Sequence, residues 1–123
     1  MKIQVKKFSP ITEGEYTCRI HGYKLRNTDG GEITGISFRL VVLSASDGSQ
    51  DFKGRTAYYN TDIGGETNKL YNLVKAVYPD ASEDAFDLYT LIEKQIVVSM
   101  KQGHDESYPH ILSVRSVEDV ERI

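Results

Sequence analysis

The 123 residues predict a mainly β fold, a five-stranded Greek-key barrel with a helical segment between the third and fourth strands. Three observations carry that expectation. Apolar residues alternate with period two in a set of short stretches, the period switches once to that of a helix, and turns rich in Gly, Asp and Ser separate the stretches. A chain of this length buries one core, so 1–123 reads as a single domain.

The first strand is GEYTCRIHGYKLRN, residues 14 to 27, rich in the β-branched and aromatic side chains that suit a pleated surface. TDGG follows, where Asp29, Gly30 and Gly31 offer a turn that tolerates positive φ. In ITGISFRLVVLSAS, Ile36, Phe38, Leu40 and Val42 alternate with Ser37, Arg39, Val41 and Leu43. The first set is the core face, and Ser37 and Arg39 open the other, completing a β-hairpin. SDGSQ makes a second turn, and GRTAYYNTDI is the third strand.

The period then changes. Leu70, Leu73, Val74 and Val77 fall at i, i+3, i+4 and i+7 in ETNKLYNLVKAVYP, the stripe of an amphipathic helix that Pro79 ends. Ser82 is expected to cap a second helical piece carrying Phe86, Tyr89 and Ile92. Alternation returns at Lys94, with Ile96, Val98 and Met100 opposing Val97, Ser99 and Lys101; GHDES turns the chain, and PHILSVRSV is the last strand. Three strands, a helix and two strands is the order of the OB-fold, whose middle strands and two loops commonly form a binding surface. Another small β-barrel or an α+β roll shares these elements.

No apolar run approaches the roughly 18 residues that span a bilayer, and MKIQVKKFSP has basic residues without the apolar stretch of a signal peptide. The lone cysteine, Cys18, has no partner for an internal disulfide. Both features suit a reducing, cytoplasmic setting. The net charge of −3 counts against a polyanion partner, but it is unevenly spread. Residues 1–63 hold nine Lys or Arg against seven Asp or Glu; residues 64–123 hold six against eleven, with Asp80, Glu83, Asp84, Asp87 and Glu93 clustered.

Catalytic signatures are missing. IGGETNK places Gly64, Gly65 and Lys69 before a helix but lacks the Gly-Lys-Ser/Thr ending of a phosphate loop. HDESYPH gathers His104, Asp105, Glu106 and His110 in one turn, yet no cysteine completes a zinc set, and a solvated turn is the simpler reading. The expectation is a protein without enzymatic activity, metal or cofactor.

Cations and rings remain. Arg19, His21 and Tyr23 alternate on one face of the first strand, opposite Tyr16, Cys18 and Ile20; Arg39 lies on the non-core face of the second; Lys53 and Arg55 accompany Tyr58 and Tyr59 on the third. Adjacent strand residues point to opposite faces, so only one of Tyr58 and Tyr59 enters the core, and a bulge near Gly22 or Gly54 decides the register. Lys24 and Arg26 near the first hairpin loop, and Lys101 and Tyr108 near the last, extend the set. Guanidinium groups for phosphate and flat rings for bases are what a sequence-tolerant single-strand binder needs. Each residue alone has a structural explanation, since tyrosine packs well on half-exposed strands.

EGEYTCRIHGYKL, GISFRLVVLSASDG, NKLYNLVKAVYP and DLYTLIEKQIVVSM together resemble the small OB-fold proteins of bacteriophages and mobile elements, many encoded beside replication or recombination genes. The resemblance implies single-stranded DNA binding. Those proteins often carry Gly-Lys before the fourth strand, where this chain has Glu93-Lys94, leaving the turn geometry there open. Bacterial single-stranded DNA-binding proteins end in a long acidic tail, whereas SVEDVERI has acids and no long linker, so a folded surface is expected to recruit any partner.

Two functions follow. One is a non-enzymatic single-stranded DNA-binding protein of a phage or mobile-element replication or recombination system. The other is an accessory subunit that docks onto a polymerase, primase or recombinase and binds DNA weakly, since Tyr and Arg are also enriched in protein interfaces. An exposed barrel edge also allows self-pairing into a homo-oligomer.

Overall fold

The structure is a computed structural model that describes residues 1–3, 5, 11–63, 68–82, 84–101 and 109–117. Its strands are β1 (Gly14–Asn27), β2 (Ile33–Ala45), β3 (Thr56–Asp62), β4 (Gln95–Lys101) and β5 (His110–Ser116), with helix α1 (Lys69–Val77) between β3 and β4. They form one antiparallel sheet in the order β3-β2-β1-β4-β5. The sheet curls into a half-barrel, with α1 packed against β3, β4 and β5 at its open side. This is the expected OB-like arrangement, and β1 is its central strand.

The alternation read from β2 is the core. Ile36, Phe38, Leu40 and Val42 are at most 1% exposed, and they meet Cys18, Ile20, Ala57, Tyr59, Ile96, Val98 and Met100 inside the curl. Leu73 of α1 and Leu91 close the cluster. Burying such side chains contributes roughly 1.5–3 kcal/mol each, which outweighs the weak helix propensity of a nine-residue α1. Thr61 is the one polar side chain buried among the described residues, and its hydroxyl donates to the Ile36 carbonyl at 3.0 Å. The bond offsets the cost of removing that hydroxyl from water.

Two turns behave as their glycines require. Gly31 and Gly48, in the loops before and after β2, have φ of 85° and 87°, a region side-chain-bearing residues avoid. Glu93 enters the same region at φ 73° without being glycine, just before β4. Its N–H donates to the Ile20 carbonyl at 2.7 Å, and its carboxylate pairs with Arg19 at 2.5 Å. These contacts hold a conformation that costs about 1–2 kcal/mol.

Two expectations need correction. After α1 the chain forms a single 3-10 turn, Leu88–Leu91, capped by Asp87, whose carboxylate accepts from the Tyr89 N–H at 3.0 Å. Ser82 caps nothing helical; its hydroxyl accepts from Asp84 N–H in a local turn. The second correction is in β1. Ile20 pairs with Leu40 while Gly22 pairs with Arg39, so His21 is the extra residue of a bulge. Everything beyond it changes face.

β1 also changes neighbours along its length. Tyr16 to Arg19 lie between β2 and β4, whereas the distal part, to Asn27, has β2 as its only strand partner. β3 supports the far edge of this overhanging hairpin, pairing with β2 from Gly35 to Val41. No described helix is long and apolar enough to cross a membrane.

Candidate nucleic-acid interface

The outer face of the sheet follows from register, because paired residues share a side. Phe38 and Tyr59 pair and are both buried, so Arg39 and its partner Tyr58 look outward. Tyr58 is 40% exposed and Tyr59 4%, which settles which ring faces out. The Tyr59 hydroxyl donates to the Lys69 carbonyl at 3.1 Å and ties β3 to the start of α1.

Around Tyr58 the face is ordered in rows across β3, β2 and β1. One row is Tyr58, Arg39 and Gly22; Gly22 lacks a side chain and so leaves the space beside Arg39 open. The next row is Asn60, Ser37 and Lys24, with Ser37 Oγ and Asn60 Oδ1 2.6 Å apart. The third is Asp62, Gly35 and Arg26. Arg26 reaches over Gly35 to the Asp62 carboxylate at 3.0 Å and to the Thr61 carbonyl. A Cβ on Gly35 would stand 2.5 Å from that carbonyl, so glycine is what lets the arginine cross.

Cations on this face divide by what holds them. Arg19 is tied to Glu93, Arg26 to Asp62, and Arg115 to Glu15. Among the described residues neither Lys24 nor Arg39 has an ion-pair partner, and both are exposed. On the far side, Val97 sits between Thr17 and Arg115 in register and is 2% exposed, so that flank is a packed surface.

The predicted set is therefore only partly gathered. Lys24, Arg26, Arg39 and Tyr58 share the outer face of β1 to β3, with Arg19 lower on the same side. Tyr23 does not: beyond the bulge it pairs with Phe38, and the two rings pack at 6.2 Å against the core. The expected alternation of Arg19, His21 and Tyr23 on one face fails for this reason. Tyr59 is interior. Arg55 has the inward parity of Ala57 and Tyr59, is half-buried, and lies 5.9 Å from the centre of the Phe52 ring. Lys53 is exposed in the loop before β3, at the opposite end of the sheet from Lys24. Lys101 ends β4 next to Met100, the partner of Gly14, and Gly14 is about 26 Å along β1 from Gly22 at the usual strand rise. Tyr108, with His104, Asp105 and Glu106, lies outside the described residues.

The sequence pattern put Ser37 on the outer face and Gly22 at a bulge without giving either a place in the site, and it did not single out Asn60. Period-two counting back and forth from Tyr58 and Arg39 is the signal that finds Asn60 and Ser37. No group of three or more His, Cys, Asp or Glu side chains suited to a metal occurs among the described residues. No family model matches the chain, and no curated protein matches it in sequence.

Proposed function

We propose that the chain is a non-enzymatic, cytoplasmic single-stranded DNA-binding protein that holds its ligand on the outer face of β1 to β3. The observation that carries this reading is the direct cross-strand pairing of an exposed Tyr58 with Arg39, next to Lys24 in the adjoining row. A ring supplies a stacking surface worth about 1–3 kcal/mol per base, and the two cations meet backbone phosphates without reading sequence. Ser37 and Asn60 offer hydrogen bonds between them. A place beside replication or recombination enzymes of a phage or mobile element follows from the resemblance given above, and a weakly DNA-binding accessory subunit of such an enzyme is the alternative.

Titration of a fluorescent oligothymidine at low and moderate salt tests the reading. Salt-sensitive binding is expected, reduced at least tenfold by Tyr58→Ala. Absence of binding at low salt would refute it for this chain and favour the accessory-subunit alternative.

A further inference from the structure

At the end of α1 the chain leaves an apolar recess of about 420 Å³, lined by Val77, Tyr78, Pro79, Ala81 and Phe86. Its walls are fixed. The rings of Tyr78 and Phe86 pack at a tilt with centroids 5.8 Å apart, the Tyr78 hydroxyl donates to the Thr90 carbonyl at 2.9 Å, and Lys75 donates to the Ala81 carbonyl at 2.7 Å. The segment that borders it, DASEDAFD from residue 80 to 87, carries four acids and no Lys or Arg. Asp80, Asp84 and Asp87 are exposed. An apolar hollow with an acidic border fits a segment that is apolar and basic.

The chain itself has such a segment. MKIQVKKF, residues 1 to 8, interleaves Lys2, Lys6 and Lys7 with Ile3, Val5 and Phe8 and contains no acid. In an extended peptide Ile3 and Val5 share one side, an arrangement that presents a pair of apolar anchors with lysines at hand. On their own chain these anchors are uncovered: Ile3 is 73% exposed and Val5 86%. Ile3 and Val5 are thus not the side chains that fill the recess of their own molecule.

We infer that the basic N-terminal arm of one copy docks in the acid-bordered recess of a second copy. Ile3 and Val5 enter the hollow, and Lys2, Lys6 and Lys7 face Asp80, Asp84 and Asp87. Arm and recess are different surfaces, so the contact is head-to-tail and propagates from copy to copy unless a ring closes. Neither surface belongs to the β1 to β3 face, and the inference stands apart from what that face binds.

Sedimentation of the full chain over a range of concentrations tests it without DNA. The weight-average mass is expected to rise with concentration at low salt and return to that of one chain at high salt. Lys2→Glu/Lys6→Glu/Lys7→Glu and Asp80→Lys/Asp84→Lys each leave a monomer, because arm and recess then carry like charge. Mixing the two variants restores association, since each arm now matches the other's recess. Lys2, Asp80 and Asp84 are exposed, and circular dichroism checks that each variant keeps the fold. A wild-type chain that stays monomeric at low salt overturns the inference, whether the recess then takes its own arm or a different protein. Association that neither charge reversal weakens overturns it as well.

Discussion

Tyr58 and Tyr59 are neighbours with opposite fates, and substitution separates them. Tyr59→Ala removes a buried ring and is expected to cost about 3–5 kcal/mol in urea unfolding, the range for large-to-small changes in a core. Tyr58→Ala leaves stability within about 1 kcal/mol and acts on ligand affinity instead. Burial also affects titration. It raises Cys18 from 9.0 to about 12 and Tyr59 from 10.0 to about 12, because the anions are poorly solvated inside. Both groups are neutral in the fold and lose protons more easily when unfolded. Their contribution to stability is complete below about pH 9 and is lost as pH rises through about 12. Unfolding free energy measured across this alkaline window should fall, and Cys18→Ala or Tyr59→Phe should each flatten the slope. Ellman's reagent should accordingly reach Cys18 only after unfolding.

At the level of elements, β1 and the turn before β4 show where the sequence was readable. Counting by twos from Tyr16 places Cys18 and Ile20 correctly in the core, and the same count places Tyr23 wrongly. One inserted residue, His21, accounts for the difference. Gly22 marks where a bulge is tolerated, but whether one forms depends on pairing with β2, a non-local matter that a local pattern does not contain. Arg55 differs for a simpler cause: it has the parity of Ala57 and Tyr59, so once Tyr59 is the inward ring Arg55 follows it off the outer face. Glu93 is the counterpart in backbone strain. Glu93→Gly removes the left-handed penalty and gives up an exposed ion pair worth at most about 1 kcal/mol, so thermal unfolding should show stability unchanged or raised by up to about 1 kcal/mol. The change also releases Arg19 onto the outer face, and oligothymidine affinity should rise.

For the whole molecule, strand number, helix position and core were legible because each depends on hydrophobic period, which a single sequence displays directly. The candidate binding face was legible in part. Residue types were visible, but ion pairing was not: Arg19 and Arg26 look like Lys24 and Arg39 in the sequence, and only the fold brings Glu93 and Asp62 to the first two. Net charge misleads for the same reason, since the acids cluster at 80–87 while Lys24 and Arg39, without an ion-pair partner among the described residues, stand on β1 and β2. With single strands each neutralised phosphate contributes about −0.7 to the slope of log affinity against log salt. Lys24→Ala/Arg39→Ala should therefore make that slope shallower by about 1.4, whereas Lys53→Ala should change it little.

The overhang of β1 divides the sheet into two mechanical regimes. From Tyr16 to Arg19 the strand is held on both sides, but beyond the bulge only β2 holds it, and alternate amides on its open edge have no strand to bond. Hydrogen exchange should report this as strong protection up to Ile20 and rapid exchange of edge amides from His21 to Asn27. Lys24 belongs to the loose half, and Tyr58, on β3, lies two strands away on an edge strand that also has β2 as its only strand partner. A strand of DNA laid across both would have to quiet the hairpin to bind, and slowing of exchange there on adding oligothymidine would measure how much of the affinity is spent on that ordering.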